Sequence, residues 1–305
     1  MAEVSQQCSD YIAQNYSHFI NIWNSVSPLE LALNSVVLLL STLLLCLNPK
    51  ARRMKETCLI ITFLLLSAAF RLPVLIINIR IPFLQIRNQP HFELDQYVLY
   101  YCLLLSLIAQ AAADFYLPLV YIGKVVFLYY PKATIICIYL MWALFISTMV
   151  LLSGLFAWLC EIQVHSDEAA WQSWLEAYLE GNLFGNVHWL VDICYFFVIA
   201  LYFTIAVGLA VAVYFVSKFI RQNNLSKNRG RGLNIKMVVV HFVNEVSATL
   251  AVVFLTTNMR TLRHENHTCL ELAEGKFRAT CWYIVYLCLT FVSQLLMMYT
   301  CMRIA

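Results

Sequence analysis

The chain has 305 residues, of which 62% are hydrophobic and only 12% are charged, and its mean hydropathy is +0.73. A soluble globule of this length needs more polar surface than these residues supply. The composition therefore excludes a soluble globular protein and indicates an integral membrane protein. The net charge of +3 excludes little, because the positions of the charges carry more information than their sum.

Seven long apolar runs follow one another along the chain. In chain order they are Leu31–Leu47, Cys58–Ile77, Tyr97–Phe127, Thr134–Leu159, Trp189–Val216, Met237–Leu255 and Thr280–Met302. Each is long enough to cross about 30 Å of hydrocarbon as a helix. Backbone polar groups in hydrocarbon must be satisfied within each segment. We therefore predict an all-α, polytopic membrane protein whose seven transmembrane helices form a single domain over residues 1–305.

The basic residues are concentrated in the segments that fall on one side of a bilayer. They are Lys50, Arg52, Arg53, Lys55, Lys132, Lys218, Arg221, Lys227, Arg229, Arg231, Lys236 and Arg303. The positive-inside rule places this side in the cytoplasm. We therefore expect residues 1–30 to form an extracellular N-terminus and the C-terminus to lie inside, with the plasma membrane as the location.

The outer side of this topology carries candidate modification sites. Asn15 and Asn266 each begin an Asn-x-Ser/Thr triplet, which is the acceptor for N-glycosylation. Cys102 and Cys160 lie near the outer ends of the third and fourth spans. Because the outer compartment is oxidising, we predict a disulfide between these two cysteines.

Charged and aromatic residues near the outer ends of the spans are candidates for ligand binding. Ionisable groups at membrane depth are costly, and they usually face the bundle interior. Arg71 in the second span and Asp192 in the fifth lie at similar depth, so they either pair with each other or bind a polar ligand. His188 precedes Asp192 by one turn. Tyr101, at the entrance to the third span, either lines a cavity or anchors the helix.

His241, Asn244 and Glu245 share one face of the sixth span, because they occupy positions i, i+3 and i+4. That face cannot contact lipid at reasonable cost. His188 with Asp192 and His241 with Glu245 have the spacing of metal ligands. The two pairs lie on the order of 20 Å apart by helix rise, so we predict no shared metal site and no cofactor.

Topology and several short motifs resemble those of G-protein-coupled receptors. Asn34 resembles the asparagine of the first helix in the rhodopsin-like class. Gly123-Lys124-Val125 followed by Pro131 resembles the acidic-arginine-tyrosine triplet and the proline after it, with Lys124 at the arginine position. The sixth span has no Trp-x-Pro, and the fifth and seventh spans have no proline. The chain is thus most similar to divergent chemosensory receptors, such as those expanded in nematodes.

The resemblance implies a cell-surface receptor that binds a small extracellular molecule in the outer half of the bundle. It also implies a heterotrimeric G protein as the cytoplasmic partner. In such receptors, polar contacts between the third and sixth helices hold the inactive state. By resemblance, Lys124 with Glu245 or Asp114 would form this contact; the alternative is static packing between helices.

Other functions remain open from the residues alone. A transporter or channel could use a polar path through Arg71, Asp114, Asp192 and Glu245, and a non-catalytic subunit of a membrane complex needs no site at all. The sequence has no His-Glu-x-x-His, Gly-x-Ser-x-Gly or phosphate-loop motif, so we predict no catalytic residues. The basic segment Lys218–Lys236 fits contact with membrane lipids, and we predict no nucleic-acid partner.

Overall fold

A computed structural model describes residues 17–49, 55–80, 92–165, 188–222, 239–240, 242–247, 250 and 269–304. All regular secondary structure in these ranges is helical. The long helices are α1 (Ser17–Leu47), α2 (Lys55–Arg80), α3 (Phe92–Tyr121), α4 (Pro131–His165), α5 (His188–Gln222) and α7 (Cys269–Ile304). A shorter helical stretch at 242–247 is α6. The prediction of an all-α fold is confirmed.

Six of these helices, α1 to α5 and α7, are long and apolar enough to cross a membrane. This is the architecture of a multi-pass membrane protein. The sixth predicted span, Met237–Leu255, lies largely outside the described residues, and its described part is helical.

Two helices begin well before the apolar runs that predicted them. α1 begins at Ser17 and contains Pro28, so part of the predicted extracellular segment is helical. Proline 28 and the acidic Glu30 interrupt the apolar pattern, which is why the sequence placed the start of the helix at Leu31. α7 likewise begins at Cys269 and not at Thr280.

The junction between α3 and α4 is a single residue. α3 continues from Tyr121 through a π-helical turn at Ile122–Val126 and a last α-helical turn at Phe127–Tyr129. Tyr130 then leaves the helical region, with φ −140° and ψ 70°. The residue before a proline disfavours the α conformation, whereas proline suits the first position of a helix. Tyr130 therefore ends one helix, and Pro131 begins the next.

α3 occupies the centre of the bundle. Helices α1 to α4 each contact the next helix along the chain, α7 packs on α1 and α2, and α3 also packs on α5. α3 is the most buried of the six long helices. The largest fully buried side chains surround it and include Ile61, Leu64, Leu75, Phe115, Leu201, Ile205, Leu209, Met297 and Met298.

The α2–α3 contact is the most extensive in the bundle. Ser67 Oγ donates to the Ser106 carbonyl at 3.1 Å, and Ser106 Oγ donates back to the Ser67 carbonyl at 3.0 Å. Small residues let helix backbones approach closely in membranes, and their hydroxyls hydrogen-bond across the interface. Asn34 Nδ2 similarly donates to the Ala68 carbonyl at 2.9 Å and joins α1 to α2.

Gly208 allows α5 to approach α3. A Cβ atom at this position would lie 3.3 Å from Ile122 Cδ1 and 3.5 Å from Pro118 Cβ. A larger side chain would therefore push the two helices apart next to the π-helical turn.

Candidate functional site

Arg71, Glu30 and Tyr283 form a closed cluster that joins α2, α1 and α7; we call it the Arg71 cluster. Arg71 Nε donates to Glu30 Oε1 at 2.8 Å, and Arg71 Nη2 lies 2.7 Å from the same oxygen. Nη2 also donates to the Tyr283 hydroxyl at 3.0 Å, and this hydroxyl donates to Glu30 Oε2 at 2.9 Å. Three helices are thus held together by one ion pair and one shared tyrosine.

The ionic partner of Arg71 is Glu30, which the sequence analysis placed outside the first span. The side chains of Arg71 and Glu30 are 20% and 11% exposed, so both charges are largely withdrawn from solvent. A pairing of Arg71 with Asp192, which depth alone suggested, stays a prediction. Asp192 and His188 belong to the first turns of α5, and their side chains lie outside the described residues.

A second polar cluster surrounds Asp114 on α3; we call it the Asp114 cluster. Gln110 Nε2 donates to both carboxylate oxygens of Asp114 at 3.1 Å. Gln294 Nε2 on α7 donates to Gln110 Oε1 at 2.8 Å. Gln110 and Asp114 are both buried. Gln110 therefore connects the central carboxylate to α7.

α6 brings Asn244 and Glu245 to the same region. Thr290 Oγ1 of α7 donates to Asn244 Oδ1 at 3.4 Å. Glu245 is fully buried, next to Asn244 and close enough to Asp114 for the two carboxyl groups to interact electrostatically. His241, which the sequence placed on the same face, lies outside the described residues.

One face of α7 joins the two clusters; we call it the α7 polar face. It consists of Tyr283, Tyr286, Thr290 and Gln294, at positions i, i+3, i+7 and i+11. The rings of Tyr283 and Tyr286 have centroids 6.4 Å apart. The Tyr286 hydroxyl lies near the hydroxyl groups of Tyr202 of α5 and of Thr290.

These contacts run along the length of the bundle. Helix rise places Gln294 about 16 Å from Tyr283 along α7. Through its four polar residues, α7 contacts charged or polar groups of five other helices: Glu30 of α1, Arg71 of α2, Gln110 of α3, Tyr202 of α5 and Asn244 of α6. A change at the Arg71 cluster can therefore reach the centre of the bundle through contiguous contacts.

Lys124 makes a different contact from the one predicted. Its Nζ lies 2.9 Å from Glu56 Oε1 at the start of α2, and the two side chains are 62% and 37% exposed. The predicted pairing with Glu245 or Asp114 was wrong, because Lys124 lies in the π-helical turn and points to the surface. Lys124 thus joins α3 to α2 and not to α6.

The predicted disulfide is not formed. Cys102 and Cys160 are both free thiols, and Cys160 is buried. The sequence placed both residues near the same ends of neighbouring helices, but it did not determine the helix rotation that a disulfide requires. Between these helices the Tyr100 and Phe156 rings meet edge to face, with centroids 6.2 Å apart.

Tyr101 is 42% exposed and stacks on Tyr97, with ring centroids 6.2 Å apart. This exposure favours the anchoring alternative over a role in lining a cavity. The candidate glycosylation sites, Asn15 and Asn266, lie outside the described residues. Within the described ranges, no three His, Cys, Asp or Glu side chains come together as metal ligands.

None of the residues of the α7 polar face was predicted from the sequence, because the candidates were mainly ionisable side chains. The signal was present in the spacing of Tyr283, Tyr286, Thr290 and Gln294, which places all four on one side of a helix. Gln110 was also detectable, since it precedes Asp114 by four residues and shares its face.

The chain was compared with protein-family models, curated proteins and solved structures, and none of them matches it.

Proposed function

We propose that this chain is a seven-helix cell-surface receptor. A small molecule binds at the Arg71 cluster, and a G protein on the cytoplasmic side responds to the resulting change in helix arrangement. The observation that carries this proposal is the α7 polar face, which connects the Arg71 cluster to α3, α5 and α6. In this orientation the Arg71 cluster lies in the outer half of the bundle, and the Lys124–Glu56 pair lies at the cytoplasmic end.

The energies of such contacts suit a switch. Interhelical polar contacts in membranes contribute about 0.6–2 kcal/mol each. Allosteric coupling between two sites is typically about 1–3 kcal/mol. One or two contacts that differ between two helix arrangements are therefore enough to couple a ligand to a partner.

Basal nucleotide exchange tests the receptor proposal without knowledge of the ligand. Membranes that contain the chain should accelerate GTP analogue binding to at least one family of heterotrimeric G proteins, relative to membranes without it. Tyr286→Phe removes the hydroxyl that lies near Tyr202 of α5 and should change this basal rate. Tyr214→Phe is the matched control, because Tyr214 is 62% exposed on α5, and it should leave the rate unchanged. Equal rates with and without the chain, across all G-protein families, contradict the proposal.

The orientation has its own test. A protease applied to intact cells should cleave the segment between α4 and α5, residues 166–187, and should spare Lys218–Lys236. The charge asymmetry of the sequence is the reason for this expectation. The reverse pattern of cleavage would overturn the orientation and, with it, the cytoplasmic partner.

Transport is the second candidate, and the proximity of Asp114 to Glu245 in the bundle centre favours it. Buried acids of this kind mark proton relays in pumps and transporters. Transporter sites, however, are typically built at interrupted helices, whereas α1, α2, α4 and α5 are continuous. Proteoliposomes that acidify in response to an imposed potential would favour transport over signalling.

A further inference from the structure

One nitrogen of the buried Arg71 guanidinium is not used by the Arg71 cluster. Nε and Nη2 are bonded to Glu30 and Tyr283. Among the described residues, Nη1 has no hydrogen-bond partner, and the Arg71 side chain remains 20% exposed. A guanidinium has five N–H donors in a fixed plane. Within the part of the chain that the structure describes, the cluster therefore leaves two N–H groups free for a further acceptor.

The charge of the cluster decides which acceptor fits. Glu30 already neutralises Arg71, with both of its oxygens engaged. A ligand carboxylate would bring a second negative charge next to Glu30 at membrane depth, where an uncompensated charge is expensive. A neutral acceptor such as a carbonyl oxygen adds no charge and still receives a hydrogen bond from a charged donor.

The surroundings favour an apolar body on such a ligand. The Tyr283 hydroxyl accepts a hydrogen bond from the guanidinium, and the ring centroids of Tyr283 and Tyr286 are 6.4 Å apart. Aromatic rings offer a large apolar surface. A molecule that binds Nη1 through one oxygen can cover these rings with hydrocarbon.

We propose that the ligand of the Arg71 cluster is an uncharged, largely apolar molecule with a carbonyl oxygen, which accepts hydrogen bonds from Arg71 Nη1 and lies against Tyr283 and Tyr286. The proposal rests on the receptor function proposed above, since it names the chemical class that the receptor binds. It also assigns Glu30 a role in specificity: its charge excludes carboxylates.

Three probes of similar length test the wild-type site: methyl hexyl ketone, octane and octanoate. Binding is measured on the purified chain in nanodiscs, by tryptophan fluorescence, with empty nanodiscs as the blank. A hydrogen bond to a charged group contributes enough for at least about a tenfold difference in affinity. The ketone should therefore bind at least about tenfold more tightly than octane or octanoate. Equal affinities for ketone and octane overturn the proposal, and this result needs no variant.

Two variants test the roles of the charged residues. Glu30→Gln keeps the shape of the side chain but leaves Arg71 uncompensated, so octanoate should now bind at least as tightly as the ketone. Arg71→Lys keeps the positive charge but has no nitrogen at the Nη1 position, so the ketone should lose its advantage over octane. Glu56→Gln is the matched control, because it makes the same change of charge in the distant Lys124–Glu56 pair, and it should preserve the wild-type order.

The failure of this inference can be separated from the failure of the receptor function. Binding in nanodiscs requires no G protein, so a ketone preference without nucleotide exchange leaves the site standing and removes the receptor. Nucleotide exchange that depends on Tyr286, combined with no preference for the ketone in the wild-type chain, leaves the receptor function standing and removes the proposed ligand class. A Glu30→Gln variant that folds and retains the wild-type order of the three probes would also overturn the role of Glu30.

Discussion

The Arg71–Glu30 ion pair should contribute far more to stability than the Lys124–Glu56 pair, although the two pairs have nearly equal lengths. The N–O distances are 2.7 and 2.9 Å. Exposure separates them: Arg71 and Glu30 are 20% and 11% exposed, against 62% and 37% for Lys124 and Glu56. We expect a double-mutant cycle to give different coupling energies for the two pairs.

Removing one partner of a buried ion pair typically costs about 3–5 kcal/mol, because it leaves an uncompensated charge. Glu30→Gln should fall in this range, since the guanidinium of Arg71 cannot be deprotonated. Arg71→Met should cost less, because Glu30 keeps its bond from Tyr283 and a carboxylate can take up a proton. The double variant removes both charges and should recover about 2 kcal/mol or more relative to the sum of the single changes.

Equilibrium unfolding in mixed micelles, by titration with SDS, measures each free energy of unfolding. The control cycle, Glu56→Gln with Lys124→Met, should give a coupling energy of no more than about 1 kcal/mol, because exposed pairs are screened. Equal coupling energies in the two cycles would refute the reasoning, since exposure would then not decide the strength of the pair.

Three further predictions concern packing, the network and the thiols. Gly208→Ala should change the free energy of unfolding by less than about 1 kcal/mol, because the atom nearest to the added Cβ is the flexible end of a side chain. Gly208→Leu should lower the free energy of unfolding by about 1–3 kcal/mol through overpacking. An equal effect of both variants would contradict the close approach of α5 to α3. Gln110→Leu should lower the free energy of unfolding by about 1–3 kcal/mol in the same SDS titration, because Asp114 loses a buried hydrogen-bond donor. An unchanged free energy of unfolding would show that the Gln110 amide contributes nothing to stability. Maleimide should label the exposed Cys281 in the folded protein and the buried Cys160 only after denaturation. Rapid labelling of Cys160 in the folded protein would contradict its burial.

The helical architecture could be predicted from the sequence because it depends on run length and composition. Apolar runs such as Cys58–Ile77 and Thr134–Leu159 lie within helices α2 and α4. A helix that begins in polar sequence gives no such signal. α1 contains Pro28 and the buried Glu30, and the sequence reads these residues as a loop because their burial depends on contacts with other helices.

The partners of the polar residues depend on helix rotation, which hydropathy does not report. Hydropathy indicates the depth of Arg71 but not the direction of its side chain, so Asp192 and not Glu30 was considered as its partner. Lys124 was assigned to α6 by resemblance, and a single π-helical turn directs it to Glu56 instead. Spacing within one helix is more informative: Gln110 with Asp114 was readable from the sequence alone.

The π-helical turn at Ile122–Val126 also sets the rotation, about the helix axis, of the residues that follow it up to Tyr129. Its wider hydrogen bond, from the Phe127 N–H to the Ile122 carbonyl, absorbs one residue more than an α-helical turn, and one residue corresponds to about 100° of rotation. Loss of a single residue here would restore an ordinary helix and swing Tyr129 away from Gln222, whose Oε1 now accepts a 2.8 Å hydrogen bond from the Tyr129 hydroxyl. The orientation of the side chains after the turn therefore depends on how many residues the turn contains as well as on their types. A one-residue deletion in this turn should be more disruptive than most substitutions of the same five side chains.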